Sequence, residues 1–205
     1  GNGHICQETK ILGVDIDGAF AEYVKIPADN AIKNDKDVEP GLLSIQEPLG
    51  NAVQTVLSGE IVSKSIAVVG CGPIGLMAVN VAKASGASKI IALEINEYRR
   101  NLAKELGADV VINPLEEDPI KRVLEETNGN GVDVVAELSG NETAIKQAFK
   151  YIKLGGRFSM LGIPNDEVSI NIADDIVFKG ITIDGIVGRK MYETWYKVQG
   201  LIESV

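Results

Sequence analysis

From residue 65 onward, short apolar runs alternate with stretches of helical period. The runs at 66–70, 89–94, 109–112, 132–137, 156–162 and 181–187 have strand length. Several, such as Val110-Val111-Ile112 and Val132-Asp133-Val134-Val135, suit strands covered by helices on both faces. Between them, 73–85, 97–106, 117–127 and 141–153 carry apolar residues at helical spacing. Gly107, Gly129-Asn130-Gly131 and Gly155-Gly156 punctuate the joints. Alternation of this length predicts an α/β fold, a doubly wound parallel sheet of the Rossmann type with right-handed crossovers. Before residue 65 the pattern differs. Residues 18–27 alternate as a strand would, 32–40 are polar and loop-like, and 47–57 read as a helix with Pro48 in its first turn. Residues 191–204 are again helical in pattern and contain Trp195.

One segment carries recognisable chemistry. The apolar run Ser65-Ile66-Ala67-Val68-Val69 enters Gly70-Cys71-Gly72-Pro73-Ile74-Gly75, a G-x-G-x-x-G turn opening a helix. The next apolar run, Ile90-Ile91-Ala92-Leu93, ends on Glu94, close to the roughly 20-residue spacing of an acid that holds an adenosine ribose. Gly70 lets the chain turn sharply out of the strand. Gly72 leaves room for a pyrophosphate at the backbone, and Gly75 allows close packing of helix on strand. Pro73 suits a first helical turn, and the free N–H groups there face an anion. Glu94 can accept from ribose hydroxyls and would repel a 2′-phosphate, which predicts NAD rather than NADP. Arg99 and Arg100 follow, but no basic residue stands immediately after Glu94.

Composition narrows the partners. A chain of 205 residues has room for one full domain and part of another. A net charge of −9 with scattered Lys and Arg argues against nucleic acid. No apolar stretch nears the ~20 residues that span a bilayer, and no signal peptide is evident. Cys6 and Cys71 make no disulfide framework. These features predict a cytoplasmic protein. A start at Gly1 and a stop at Val205, within a helical pattern, predict a piece of a longer one.

Gly3-His4-Ile5-Cys6, Gly18-Ala19-Phe20-Ala21-Glu22-Tyr23, the glycine turn and Leu154-Gly155-Gly156-Arg157 resemble the medium-chain, zinc-dependent alcohol dehydrogenases. Glu47-Pro48-Leu49-Gly50-Asn51-Ala52-Val53 and Gly188-Arg189-Lys190-Met191-Tyr192-Glu193-Thr194-Trp195-Tyr196 resemble the L-threonine 3-dehydrogenase branch of that family. The resemblance runs over essentially the whole chain. It implies that residues 1–46 are the end of a mainly-β, GroES-like catalytic domain, 47–188 the NAD-binding domain, and 189–205 a return segment toward the catalytic domain. It implies oxidation of the L-threonine 3-hydroxyl to 2-amino-3-oxobutanoate, with hydride passing to NAD⁺ and zinc acting as a Lewis acid. It also implies a homotetramer, with the strand at 181–187 near a subunit contact.

Residue by residue, the resemblance makes Glu47 the acid near zinc, as ligand or proton relay; as a plain residue, Glu47 also suits a first helical turn. Cys6 matches the last cysteine of the family's four-Cys structural zinc lobe. The family's main catalytic ligands, a Cys and a His-Glu pair, have no counterpart here, and His4, the single histidine, does not match them. Ile74, Glu94 and Arg99 match positions near the pyrophosphate and adenosine ribose. Leu161, Gly162, Ile163, Ile186 and Val187 match positions near nicotinamide, although apolar strand ends are equally ordinary core. Glu137 and Ser139 end a strand and so point toward the cofactor edge by fold analogy. Cys71 is expected to be a small packing residue. Arg189, past the last strand, could grip a substrate carboxylate with its guanidinium fork or serve a subunit interface. Two other readings stay open: a polyol or secondary-alcohol dehydrogenase of the same family, and a non-catalytic NAD-binding module.

Overall fold

The computed structural model describes residues 2–203. After two short 3₁₀ turns, helices α1 (Pro40–Ser44) and α2 (Gln46–Val56) lead into the alternating part of the chain. There follow β1 (Ser65–Val69), α3 (Pro73–Ala84), β2 (Lys89–Leu93), α4 (Glu97–Glu105), β3 (Val110–Ile112), α5 (Pro119–Glu126), β4 (Val132–Glu137), α6 (Glu142–Tyr151) and β5 (Ile152–Met160). A π-helical turn (Ile172–Val177), β6 (Thr182–Gly185) and α7 (Glu193–Glu203) complete it. The strands form one parallel sheet in the order β3-β2-β1-β4-β5-β6. The order reverses between β1 and β4, which opens a crevice at the carboxyl ends of those strands.

Both faces of the sheet are covered, as its apolar runs predict. Ile66, Val68, Ile90 and Val134 point to one side, where Ala52, Val53 and Val56 of α2, Ala78 and Val79 of α3 and Val198 of α7 bury them. Ala67, Val69, Ile91 and Val135 point to the other, against Ile145 and Phe149 of α6. Phe149 stacks on Phe158 of β5, with ring centroids 4.4 Å apart. Helix starts are set locally. The side chains of Asn96, Asp118 and Asn141 accept main-chain N–H groups at the first turns of α4, α5 and α6, and α3 and α5 begin on proline.

The end of α2 is held from across the sheet. Arg157 Nη2 donates to the Val56 carbonyl at 2.9 Å, and Nη1 to Ser159 Oγ at 2.9 Å and to Ser58 Oγ. Ser58 in turn donates to Asp184 of β6 at 2.9 Å. The residues after the sheet return to the segment before it: Gln199 Nε2 donates to the Lys33 carbonyl at 3.1 Å.

Some expectations shift. Residues 18–27 form no strand; apart from an isolated bridge between Leu12 and Ile16, no ladder is present there. A strand needs a partner edge, none of the described residues supplies one, and Phe20 and Tyr23 stand fully exposed. The strand expected at 156–162 begins earlier, at Ile152, with a register shift opposite Val132/Val134. The strand expected at 181–187 is shorter and lies at the sheet edge. The last helix begins at Glu193, and Ser204 lies outside the described residues.

Tyr151 is fully buried and its hydroxyl has no partner among the described residues. An orphan buried hydroxyl costs about 1–3 kcal/mol in desolvation. Tyr151→Phe is therefore expected to leave stability unchanged or raise it by about 1 kcal/mol in urea unfolding. A loss of similar size would show that the hydroxyl is satisfied after all.

Candidate functional site

The crevice is built from the glycine turn outward. Gly70 follows β1 with φ of +86°, a conformation L-residues rarely adopt. Gly72 is the N-cap of α3 and nothing lies within 4 Å of where its Cβ would be, so its backbone is open to a ligand. A Cβ on Gly75 would run into the Gly70 carbonyl oxygen, so only glycine lets α3 start this close to β1. No side chain caps α3. Its first N–H groups are left to face the crevice, an arrangement that binds anions.

Glu94, the residue after β2, is 7% exposed and folds back over this turn. Its Oε2 accepts the Cys71 N–H at 2.8 Å and its Oε1 accepts the Asn96 N–H at 2.9 Å. Arg99 Nη1 lies 4.0 Å from the carboxylate, half exposed at the rim. Arg100 turns away, donating to the carbonyls of Glu94 and Ile95. Together these residues border a cleft of about 560 Å³ at the ends of β1, β2 and β4. The cleft is also lined by residues that sequence reasoning passed over, among them Ile95, Pro114, Leu115, Thr143, Gln147 and Tyr151. Pro114, Leu115 and Thr143 follow closely on β3 and β4, so the strand-end rule could have found them.

Gly70, Gly72, Glu94 and Arg99 thus meet in one cleft, with Gly75 beneath the turn; Ile74 packs against the core instead. Leu161, Gly162 and Ile163 follow β5, and Ile186 and Val187 follow β6; none of the five lines this cleft. The main-chain N–H groups of Leu161 and Gly162 donate to the Glu137 carbonyl, and that of Ile186 to the Met160 carbonyl. The Ile163 side chain is 88% exposed. Of the two strand-end residues, Ser139 borders the cleft as fold analogy suggests, whereas Glu137 does not. It is fully buried, and burial pushes its carboxyl above the usual range against the pull of hydrogen bonds from Ser139 and Gly140.

Cys71 is also buried. Burial first, and the Glu94 carboxylate second, push its thiol up to about 12. Thiolate is the reactive form, whereas Cys6 is exposed and free. A disulfide-reagent titration at neutral pH is expected to count one fast thiol in the folded protein and two after denaturation. Two fast thiols in the folded state would contradict the burial of Cys71.

Glu47 does not line the cleft; it lies in the first turn of α2, with its side chain 59% exposed. It pairs with Arg189 at 2.5 Å. The same guanidinium lies over the Trp195 ring, 4.6 Å from its centroid, and the absence of a Cβ at Gly50 makes room for it. The fork read as free for a substrate carboxylate is therefore already engaged by Glu47, although its Nε has no partner among the described residues. Cys6 lies in the irregular N-terminal part. Among the described residues no three His, Cys, Asp or Glu side chains come together as a metal site. Glu47 and Cys6 therefore do not by themselves make a site for zinc.

The sequence profile of the family described as zinc-binding dehydrogenase matches residues 73–204. The chain is 59% identical over 204 residues to a protein of Caldanaerobacter subterraneus subsp. tengcongensis named L-threonine 3-dehydrogenase, and 52% identical over 204 residues to a protein of that name from Pyrococcus furiosus. Both alignments take in all of this chain but 59% of the relative, so the chain spans about three fifths of the length of these curated relatives. Among solved structures it is similar to a zinc-binding dehydrogenase of Sinorhizobium meliloti bound to NADP. The TM-score is 0.90 at 29% identity, covering 98% of this chain and 59% of that one. The profile match, the parallel six-stranded sheet and the glycine turn agree: the chain belongs to the zinc-binding dehydrogenase family.

Proposed function

We propose that the protein is the hydride-accepting part of an NAD-dependent, zinc-assisted dehydrogenase that oxidises L-threonine at its 3-hydroxyl to 2-amino-3-oxobutanoate, in threonine catabolism. The observation that carries the cofactor reading is Glu94, folded over the glycine turn at the switch point of the sheet. Relatives named L-threonine 3-dehydrogenase, above 50% identity over the whole chain, support the substrate. The open backbone of Gly72 and the start of α3 would take the pyrophosphate. Glu94 would take the adenosine ribose, with Arg99 at the rim. The neighbouring ends of β5 and β6, with Leu161, Gly162, Ile163, Ile186 and Val187, would flank the nicotinamide. Glu47, a carboxylate with a guanidinium beside it, would relay the proton leaving the substrate hydroxyl. In this reading residues 1–46 and 189–205 belong with a catalytic domain that holds the zinc, Cys6 with its structural zinc lobe.

The experiment is NADH formation by the protein at the length of its relatives, with zinc and with threonine, sorbitol or butanediol as substrate. Faster turnover of threonine than of either polyol is expected; preference for a polyol would move the protein to another branch of the family. A second reading follows from the lack of a three-ligand cluster among the described residues: the 205-residue chain binds dinucleotide without turnover. Threonine oxidation by that chain alone would sink it.

The protein would act in the cytoplasm; no helix of the described residues is long and apolar enough to cross a membrane. It would assemble as a homotetramer, with β6 at the edge of the sheet, unpaired on its outer side among the described residues, and Val177 and Phe178 exposed in the segment that precedes it. Light scattering that returned a monomer at the relatives' length would contradict this.

A further inference from the structure

Glu137 ends β4 and is 0% exposed, yet no cationic side chain of the described residues pairs with it. A buried carboxylate without a counter-ion is destabilising by several kcal/mol, to an order of magnitude, unless hydrogen bonds offset it. Here Oε1 accepts the Ser139 N–H at 2.9 Å, the Ser139 hydroxyl and the Gly140 N–H at 3.1 Å, and Oε2 shares that Gly140 N–H at 3.4 Å. The Glu137 main-chain carbonyl accepts the N–H groups of Leu161 and Gly162 at 2.9 and 3.0 Å. One residue therefore holds the loop after β4 with its side chain and the loop after β5 with its backbone.

The two loops are also pressed together. A Cβ on Gly162 would strike the Gly140 nitrogen and Glu137 Oε2, and a Cβ on Gly140 would strike the Ile163 carbonyl oxygen. Ser139, tied to Glu137, is in turn the residue that a Cβ on Gly70 would meet, so the β4 loop faces the glycine turn across the switch point. In a doubly wound sheet one mononucleotide half lies over β1 to β3 and the other over β4 to β6. Glu94 and the glycine turn belong to the first half, and Leu138 and Ser139 border the same cleft; the 161–163 loop, outside that cleft, belongs to the second.

We propose that Glu137 is a positioning residue for the nicotinamide half of the dinucleotide: it sets the spacing of the 138–140 and 161–163 loops without touching the ligand. This rests on the dinucleotide reading above. A pocket half fixed before binding needs no ordering when the ligand arrives. The Leu138 N–H also donates to the Val69 carbonyl at 2.9 Å, so loosening the joint frees the 161–163 loop and the ligand part against it while the 138–140 loop stays beside the glycine turn.

The test is Glu137→Gln, which keeps the shape and one acceptor oxygen but removes the charge and sets an amide donor toward Gly140 and Gly162. NADH binding is read by its fluorescence, ADP-ribose binding by displacement, and folding by thermal melting of the same samples. NADH is expected to bind about tenfold more weakly, its emission moving toward that of the free nucleotide, while ADP-ribose stays within about twofold. Equal losses for both ligands would mark a general structural role and overturn the proposal, as would no change in either. If Glu137→Gln fails to fold, Glu137→Asp, which keeps the charge but draws the carboxylate back from the 138–140 loop, decides by the same split. If the unaltered protein binds neither NADH nor ADP-ribose, the dinucleotide reading itself fails and takes the proposal with it.

Discussion

Gly75→Ala is expected to abolish measurable dinucleotide binding and to lower the melting temperature by on the order of 10 °C, from a destabilisation of about 3 kcal/mol. The added methyl would overlap the carbonyl oxygen of Gly70, a backbone atom in a turn whose own φ of +86° leaves it little room to yield. Either α3 moves away from β1 or the turn opens. Both displace the N–H groups that face the crevice, and a 1 Å misplacement of binding groups is already severe. Calorimetry with NADH and thermal melting together read the two effects. A variant that melts and binds as the unaltered protein does would show that α3 does not start where the structure puts it.

Glu94→Ala is expected to weaken NADH by about 10- to 100-fold, the loss of charge-assisted hydrogen bonds worth about 1.5–3 kcal/mol. Two losses combine. The ribose hydroxyls lose their acceptor, and the Cys71 N–H, now bound at 2.8 Å, is left without one. NADPH should lose far less, because removing the carboxylate removes the repulsion of its 2′-phosphate and frees Arg99, 4.0 Å away, to meet that phosphate. Glu94→Gln separates the two roles, since an amide oxygen can still accept from Cys71. It should relax discrimination while NADH binding falls only modestly. An unchanged NADH-to-NADPH ratio in both variants would show that Glu94 does not face the ribose.

Features with a local cause were legible in the sequence. The turn at Gly70–Gly75 needs glycine for reasons that lie within a few residues, and Glu94 follows from strand and helix lengths that leave little freedom. The apolar runs of β1, β2 and β4 announce a sheet covered on both sides because no polar face is left to expose. Features that depend on distant partners were not. Periodicity at 18–27 registers the capacity to pair, but a strand exists only against another edge. Tyr151 and Gln147 reach the cleft from α6, and nothing in their neighbours separates a cleft wall from core. Arg157 was visible only as part of a glycine-glycine-arginine motif; its hold on the end of α2 depends on β5 passing beneath that helix. Arg189 looked available because Glu47 is 142 positions away in sequence.

The crevice beside Glu94 is expected to take NAD in preference to NADP, although a structural relative at 29% identity is described with NADP bound. Titration of the unaltered protein with NADH and NADPH, side by side at one ionic strength, decides between the two. NADH is expected to bind at least about tenfold more tightly, a difference of ~1.4 kcal/mol or more. Equal affinities, or tighter binding of NADPH, would contradict it.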